Sequence, residues 1–278
     1  MKILLTGAGG QLGRAVCDAF TSHEVVGRDH AALDVADAVA VEAALDATRP
    51  DLLLNASAYT AVDRAEDEPE AAFRVNAEGP GVLAVATARR GLPLLHVSTD
   101  YVFDGEKGAA YVESDPTRPL GVYGVSKLAG EEAVRAANPR HFVVRTAWLY
   151  GPVGRNFART LAAAAEREPR LRVVDDQWGS PTYAPHLARA LAALVGTQAH
   201  GLHHLANAGV ASRFEFAKAL LDALGSATPI EPIPTSAWPT PARRPRNTAL
   251  ASERETGIGL PDWRVGVQDF AAAVERPL

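Results

Sequence analysis

Hydrophobic and polar positions along the first half of the chain alternate between two kinds of segment. Short runs rich in Leu, Val and Ile at residues 3–5, 24–26, 52–55, 94–98 and 142–145 predict strands. Between them, Ala-rich amphipathic stretches at 11–20, 38–48, 70–89 and 122–137 predict helices. Parallel strands need a crossover connection, so repeated strand–helix units imply an α/β chain with a doubly wound parallel sheet. Ligands on such sheets bind at the carboxyl ends of the strands. Polar clusters fall at four of those ends: residues 7–13, 55–59, 98–101 and 146–151.

The second half changes character. Pro and polar residues crowd 175–185 and 229–245, with helical patches at 156–167, 185–195 and 213–224. No internal repeat or low-complexity linker appears. The expected organisation is a dinucleotide-binding domain over 1–150 and a smaller C-terminal substrate-binding region over 151–278, part of which can return to the first domain.

Composition narrows the class. The 278 residues are 47% hydrophobic and 22% charged, an ordinary globular balance. A net charge of -5 gives no basic footprint for nucleic acid or an anionic membrane surface. No apolar run reaches membrane-spanning length, and the run after Met1 is too short for a signal peptide. One cysteine, Cys17, excludes an internal disulfide and suits a reducing cytoplasm; its Ala-rich surroundings predict a plain core thiol. His203 and His204 occupy a strand-like run in which neighbouring side chains point oppositely, a structural pattern, not a metal site.

Two motifs carry chemistry. Gly7-Ala8-Gly9-Gly10-Gln11-Leu12-Gly13 links the first strand to the first helix as G-x-x-G-x-x-G. Gly7 allows the tight turn, Gly10 lets a phosphate approach the backbone, and Gly13 permits close helix–strand packing. A pyrophosphate then rests on the free N–H groups of the helix start, where the dipole favours it. This is a Rossmann-type dinucleotide site. The second strand ends Val26-Gly27-Arg28-Asp29, which offers a cation for the 2′-phosphate of NADPH and a carboxylate for the ribose of NADH. Asp34 and Val35, after the next turn, are candidates to bracket the adenine.

The second motif is Tyr123-Gly124-Val125-Ser126-Lys127 at the start of a predicted helix. The i, i+4 spacing stacks phenol and ammonium on one face. The ammonium can lower the phenol pKa toward the working range and can bond the nicotinamide ribose. With six tyrosines and four lysines, chance predicts only about 0.1 such pairs. Ser98-Thr99-Asp100-Tyr101 ends a neighbouring strand, and Thr99 can share the hydrogen bond to a substrate oxygen. Asn76 can support the network.

Together these motifs resemble the extended short-chain dehydrogenase/reductase superfamily, marked by G-x-x-G-x-x-G and Y-x-x-x-K. Similarity to its nucleotide-sugar reductases runs along nearly the whole chain. It includes Arg49-Pro50-Asp51, Asn55-Ala56, Thr60-Ala61-Val62-Asp63, Arg145-Thr146-Ala147-Trp148, Asn156-Phe157, Asp176-Gln177 and Gly179-Ser180-Pro181-Thr182. The most specific segment is Pro239-Thr240-Pro241-Ala242-Arg243-Arg244-Pro245, outside the general signature. The resemblance implies NAD(P)H-dependent reduction of the C4 keto group of dTDP-4-dehydro-L-rhamnose to dTDP-L-rhamnose. It implies Tyr123 as the acid, Lys127 as its partner and Thr99 as the group tuning proton transfer. Cofactor contacts would fall on Gly10, Gln11, Leu12, Asp34, Val35, Ser57, Ala58 and Tyr59. Thr99, Asp100, Tyr123 and Trp148 would face the sugar, and Arg243 and Arg244 could pair with the diphosphate.

One departure matters. Relatives that form a Mg²⁺-bridged dimer carry a glutamate in the first helix where this chain has Ala15. A monomer or metal-free homodimer is expected instead. Two rival readings stay open. An epimerase or dehydratase shares the fold, but the dehydratases place a Glu after Thr-Asp where Tyr101 stands here. A non-catalytic binding subunit is the other rival, as in the regulatory subunit of methionine adenosyltransferase.

Overall fold

The computed structural model describes residues 1–274. In chain order the elements are β1 (Lys2–Thr6), α1 (Gln11–Ala19), β2 (Glu24–Arg28), α2 (Ala38–Thr48), β3 (Leu52–Asn55), α3 (Pro69–Phe73), α4 (Gly79–Arg89), β4 (Leu94–Thr99), α5 (Val122–Ala137), β5 (His141–Thr146) and β6 (Leu149–Tyr150). There follow α6 (Phe157–Ala165), β7 (Leu171–Val174), β8 (Trp178–Gly179), β9 (Thr182–Tyr183), α7 (Ala184–Val195), β10 (Gly201–His204), β11 (Ala211–Ser212), α8 (Arg213–Ala223), β12 (Ile230–Ile233) and α9 (Trp263–Val274).

Six strands form one parallel sheet in the order β10-β5-β4-β3-β1-β2. Its strands are apolar on both faces because both are covered. Ile3, Leu5, Leu54, Phe142 and Val144 point toward α1 and α7, where they meet Leu12, Val16, Leu187 and Leu191. The alternate positions Leu4, Leu53, Leu94 and Val143 meet Val41, Leu45, Leu83 and Val134 of α2, α4 and α5. Residues beyond 150 do not stay apart from this sheet. Helix α7 completes one layer and β10 forms an edge strand beside β5. The remainder builds a second core, in which Leu161, Phe216, Leu220, Trp263 and Phe270 of α6, α8 and α9 surround Tyr150 and the paired strands β7 and β12.

Two sequence expectations need correction. The stretch 70–89 is not one helix: a π-helical turn, Arg74–Glu78, separates α3 from α4. Pro80 has no N–H to return to the Asn76 carbonyl, so the regular ladder fails there. Helix α5 approaches that carbonyl so closely at Gly130 that a Cβ would lie 2.0 Å from it. Cys17 is exposed, because the buried stripe of α1 runs through Leu12, Ala15 and Val16 and leaves position 17 outside. Partial burial, then Asp18, raise its thiol pKa, which keeps it in the poorly reactive protonated form.

Candidate active site

The Gly-rich loop closes at the carboxyl edge of β1. Gly7 adopts φ +73, and Gly10 N–H donates to its carbonyl at 3.0 Å. A Cβ on Gly13 would sit 2.2 Å from that same carbonyl, so only glycine lets α1 start this close to the strand. Gly10 is the N-cap of α1, and no side chain caps the first turn. Uncapped N–H groups behind a turn without side chains fit the diphosphate of a dinucleotide.

Other expected cofactor residues surround the loop. Arg28 lies half-buried at the end of β2, its guanidinium held among the described residues by Gly27 O alone, at 3.2 Å. Asp34 is paired with Arg74 at 2.5 Å, whereas the Val35 side chain turns into the core. Gln11 accepts from Asn156 at 2.6 Å, tying the loop to the start of α6. Ser57, Ala58 and Tyr59 run from the end of β3. Ser57 N–H donates to Asn55, and Tyr59 N–H donates to Asn76 Oδ1 at 2.8 Å. Asn76, fully buried, also donates to Tyr59 O and to Ser126 Oγ, each at 3.1 Å. It therefore joins the loop after β3 to the first turn of α5, and its position in the π-turn is what aims it there.

Tyr123 stands in that first turn. A Cβ on Gly124 would lie 2.3 Å from Tyr101 O, so the glycine lets α5 butt against the chain leaving β4. This sets the Tyr123 phenol beside Thr99, and Tyr101 packs edge-on against the ring at 5.6 Å between centroids. Burial drives the phenol pKa well above its usual range; the Thr99 hydroxyl opposes this, and Asp100 and Tyr101 add to it. The group is thus a firmly protonated acid. Thr99 Oγ1 also lies 3.0 Å from Asp100 Oδ1. Asp100 is buried, and burial raises its pKa to about 6 against hydrogen bonds from Thr248 and Thr99.

Lys127 shares the helix face with Tyr123 but does not reach the phenol. Its Nζ turns into the sheet, 2.7 Å from Val97 O and 3.4 Å from His96 Nε2, and burial lowers its pKa to about 8. Thr99, not Lys127, is the partner Tyr123 has here.

The opposite wall is built around Trp148. Its φ of +45 is one of only two left-handed non-glycine residues among those described, a strain that marks functional positions. A Cβ on Gly179 would lie 2.3 Å from the indole, so the Gly-Ser-Pro-Thr segment makes room for the ring. The Arg213 guanidinium lies 3.5 Å from the indole centroid. Burial lowers its pKa, while Tyr101 and Asp100 support its charge. Arg244, also close enough to affect Arg213, is paired with Asp63 at 2.8 Å. Arg243 is exposed. Among the described residues Arg213 has no carboxylate within salt-bridge distance.

Sequence reading had missed Arg213. Its one signal is a cation at the first position of a helix, after the capping box of Ser212 and Glu215, where the dipole disfavours it. His96 was missed too, although a histidine amid Leu94, Leu95 and Val97 breaks the apolar run that opens β4.

Over residues 1–276 the chain matches the family described as RmlD substrate binding domain. The dTDP-4-dehydrorhamnose reductase of Mycolicibacterium smegmatis is 44% identical over 282 residues, covering 98% of this chain and 86% of that one. The crystal structure of a dTDP-4-dehydrorhamnose reductase from Clostridium acetobutylicum aligns with a TM-score of 0.97 at 36% identity, over 99% of this chain and 100% of that one. That of the Bacillus anthracis enzyme in complex with NADP aligns at 0.94 and 34% identity, over 97% and 98%. With the dinucleotide loop, the Tyr–Lys helix and the Trp148 wall on one sheet edge, the chain belongs to the RmlD substrate-binding-domain family, the dTDP-4-dehydrorhamnose reductases of the extended short-chain dehydrogenase/reductase superfamily.

Proposed function

We propose that this chain reduces the C4 keto group of dTDP-4-dehydro-L-rhamnose to give dTDP-L-rhamnose, with NADPH as the reductant and NADH as a second choice. The observation that carries this reading is the protonated Tyr123 phenol beside Thr99, between the dinucleotide loop and the Trp148 wall. When bound, the reduced nicotinamide supplies a hydride. Tyr123 donates its proton to O4, the oxygen that gains negative charge, and Thr99 keeps the phenol aimed. Asp100 accepts hydrogen bonds at the sugar, Trp148 offers an apolar face to the ring, and Arg213 with Arg244 balances the diphosphate. Gly7, Gly10, Gln11, Leu12 and Gly13 hold the cofactor diphosphate, Arg28 its 2′-phosphate, and Ser57, Ala58 and Tyr59 line its path toward Lys127.

Residues 1–150 with α7 and β10 form the dinucleotide-binding part, and the second core carries the substrate side. Ala15 is buried against the α7 layer, which supports a monomer or metal-free homodimer over a glutamate-bridged one. The cytoplasm, where reduced nicotinamide is supplied, is the compartment we assign.

The test mixes protein, NADPH and dTDP-4-dehydro-L-rhamnose and follows absorbance of the reduced cofactor. Stoichiometric NADPH oxidation is expected, which an epimerase would not give. Tyr123→Phe should slow turnover by about 10² or more while leaving the NADPH Kd unchanged. No oxidation with either nicotinamide would sink the reading.

A further inference from the structure

Two fully buried polar residues lie behind Lys127: Asn55 at the end of β3 and His96 within β4. Asn55 Oδ1 accepts from Thr6 Oγ1 at 2.7 Å and from Ser57 N–H at 3.0 Å. The backbone N–H can only donate, so the amide oxygen must face it. Asn55 Nδ2–H therefore points at His96 Nδ1, 3.0 Å away. Nδ1 is then an acceptor, and the single proton of the neutral ring sits on Nε2. Burial, then Lys127, hold the ring far below its usual pKa, which keeps it neutral.

That polarity has a consequence at Lys127. Its Nζ lies 3.4 Å from His96 Nε2 and 2.7 Å from Val97 O. An ammonium has only donors, so it would set N–H against N–H; a free amine has a lone pair to accept the imidazole proton. The one carboxylate among the described residues that supports a charge there, Glu131, opposes burial only in part. Glu131, one turn further along α5, is spent on Arg145 of β5 at 2.7 and 2.9 Å and on Ser98 of β4 at 2.5 Å. Tyr123, one turn earlier, is a neutral phenol. Lys127 itself is 1% exposed, so a charge there has no water either.

We propose that His96 is a positioning residue: the Thr6–Asn55–His96 chain holds Lys127 retracted against β4 and favours its free amine over its ammonium, and cofactor binding draws it out as the ammonium. One proton from solvent adds to the Nζ lone pair in that step. The second half of the proposal rests on the reading of the Gly-rich loop as an NADPH site.

The chain has four lysines, so ¹³C- and ¹⁵N-labelled lysine in the full protein resolves each, with Lys127 identified by its loss in Lys127→Arg. In the cofactor-free protein Lys127 should titrate about two pH units below the ordinary lysine value, and ¹⁵N spectra should show His96 protonated on Nε2. Lys127 titrating with the others, or His96 protonated on Nδ1, overturns the proposal. In Asn55→Asp the new carboxylate accepts from Nδ1–H, so the tautomer should flip and the Lys127 midpoint rise together. A rise without the flip reflects added charge alone and counts against the relay. Calorimetry of NADPH binding at about pH 8.5, in two buffers of different ionisation heat, should report uptake approaching one proton, and none in Lys127→Arg. Binding without uptake refutes the coupling. Absence of NADPH binding refutes the cofactor reading itself, and is seen separately because titration and tautomer are read on the free protein.

Discussion

Asp100→Asn should stabilise the fold while damaging the enzyme. Asp100 is 2% exposed, and burial raises its carboxyl from 3.8 to about 6, against hydrogen bonds from Thr248 and Thr99. A carboxyl with a raised folded pKa keeps its proton in the native state after the unfolded chain has lost it. The stability this gives is fully present below 3.8 and is gone once pH passes about 6. At ~1.36 kcal/mol per pH unit the ionised group costs about 3 kcal/mol at neutral pH and above. Asparagine keeps the shape and never ionises; the Thr248 hydroxyl rotates to accept from the new amide. For 278 residues the entropy of unfolding is about 0.6 kcal/mol/K, so 3 kcal/mol corresponds to about 5 °C in Tm. Scanning calorimetry at pH 4.5, 6 and 8 reads it. The two proteins should differ by only about 2 °C at pH 4.5 and by about 5 °C at pH 8, the variant higher. Turnover should fall, because the ionised carboxylate faces the sugar; retained strain at a working site is the usual exchange. A variant that melts lower at pH 8, or a gap that does not change with pH, would refute the reasoning.

Gly13→Ala places a Cβ 2.2 Å from Gly7 O, about 1 Å inside contact, and overpacking of that size costs about 1–3 kcal/mol. The NADPH Kd, read by cofactor fluorescence, should rise about 10- to 100-fold; an unchanged Kd would show that the loop has room to move. Arg213→Ala should raise KM for the dTDP-sugar about tenfold or more with KM for NADPH unchanged, since the guanidinium stacks on Trp148 and not on the dinucleotide loop. Equal effects on both substrates would instead mean that the Trp148 wall has collapsed. Burial lowers Lys127 to about 8 in the free protein, so kcat/KM for NADPH should fall above pH ~8 as the ammonium is lost. Lys127→Arg should remove that alkaline limb, and a limb that survives the substitution belongs to another group.

Much of this is legible in the sequence. The short continuous apolar runs placed β1 to β5 to within two residues, because a parallel sheet covered on both faces demands such runs. The strand starting at Leu171, its partner at Ile230 and the last helix were less legible, since their apolar positions satisfy a second core whose members are far apart in sequence. Gly7, Gly13, Tyr123 and Lys127 stood out because the motif and its local structure are the same few residues.

Local sequence was therefore enough for the parallel α/β sheet, the dinucleotide loop and the phenol on the first turn of α5, features set by spacing within one strand–helix unit. Tertiary structure alone decided which partners those groups have. Thr99 reaches Tyr123 because β4 and α5 meet at Gly124, and Arg213 reaches Trp148 from a helix 65 positions later in the chain. Lys127 faces His96 in place of the phenol because its buried amine, with Glu131 taken up by Arg145, turns to the Val97 carbonyl in the sheet. Proton affinities are properties of those partners and of the water they exclude, so they become definite only when distant strands and helices pack.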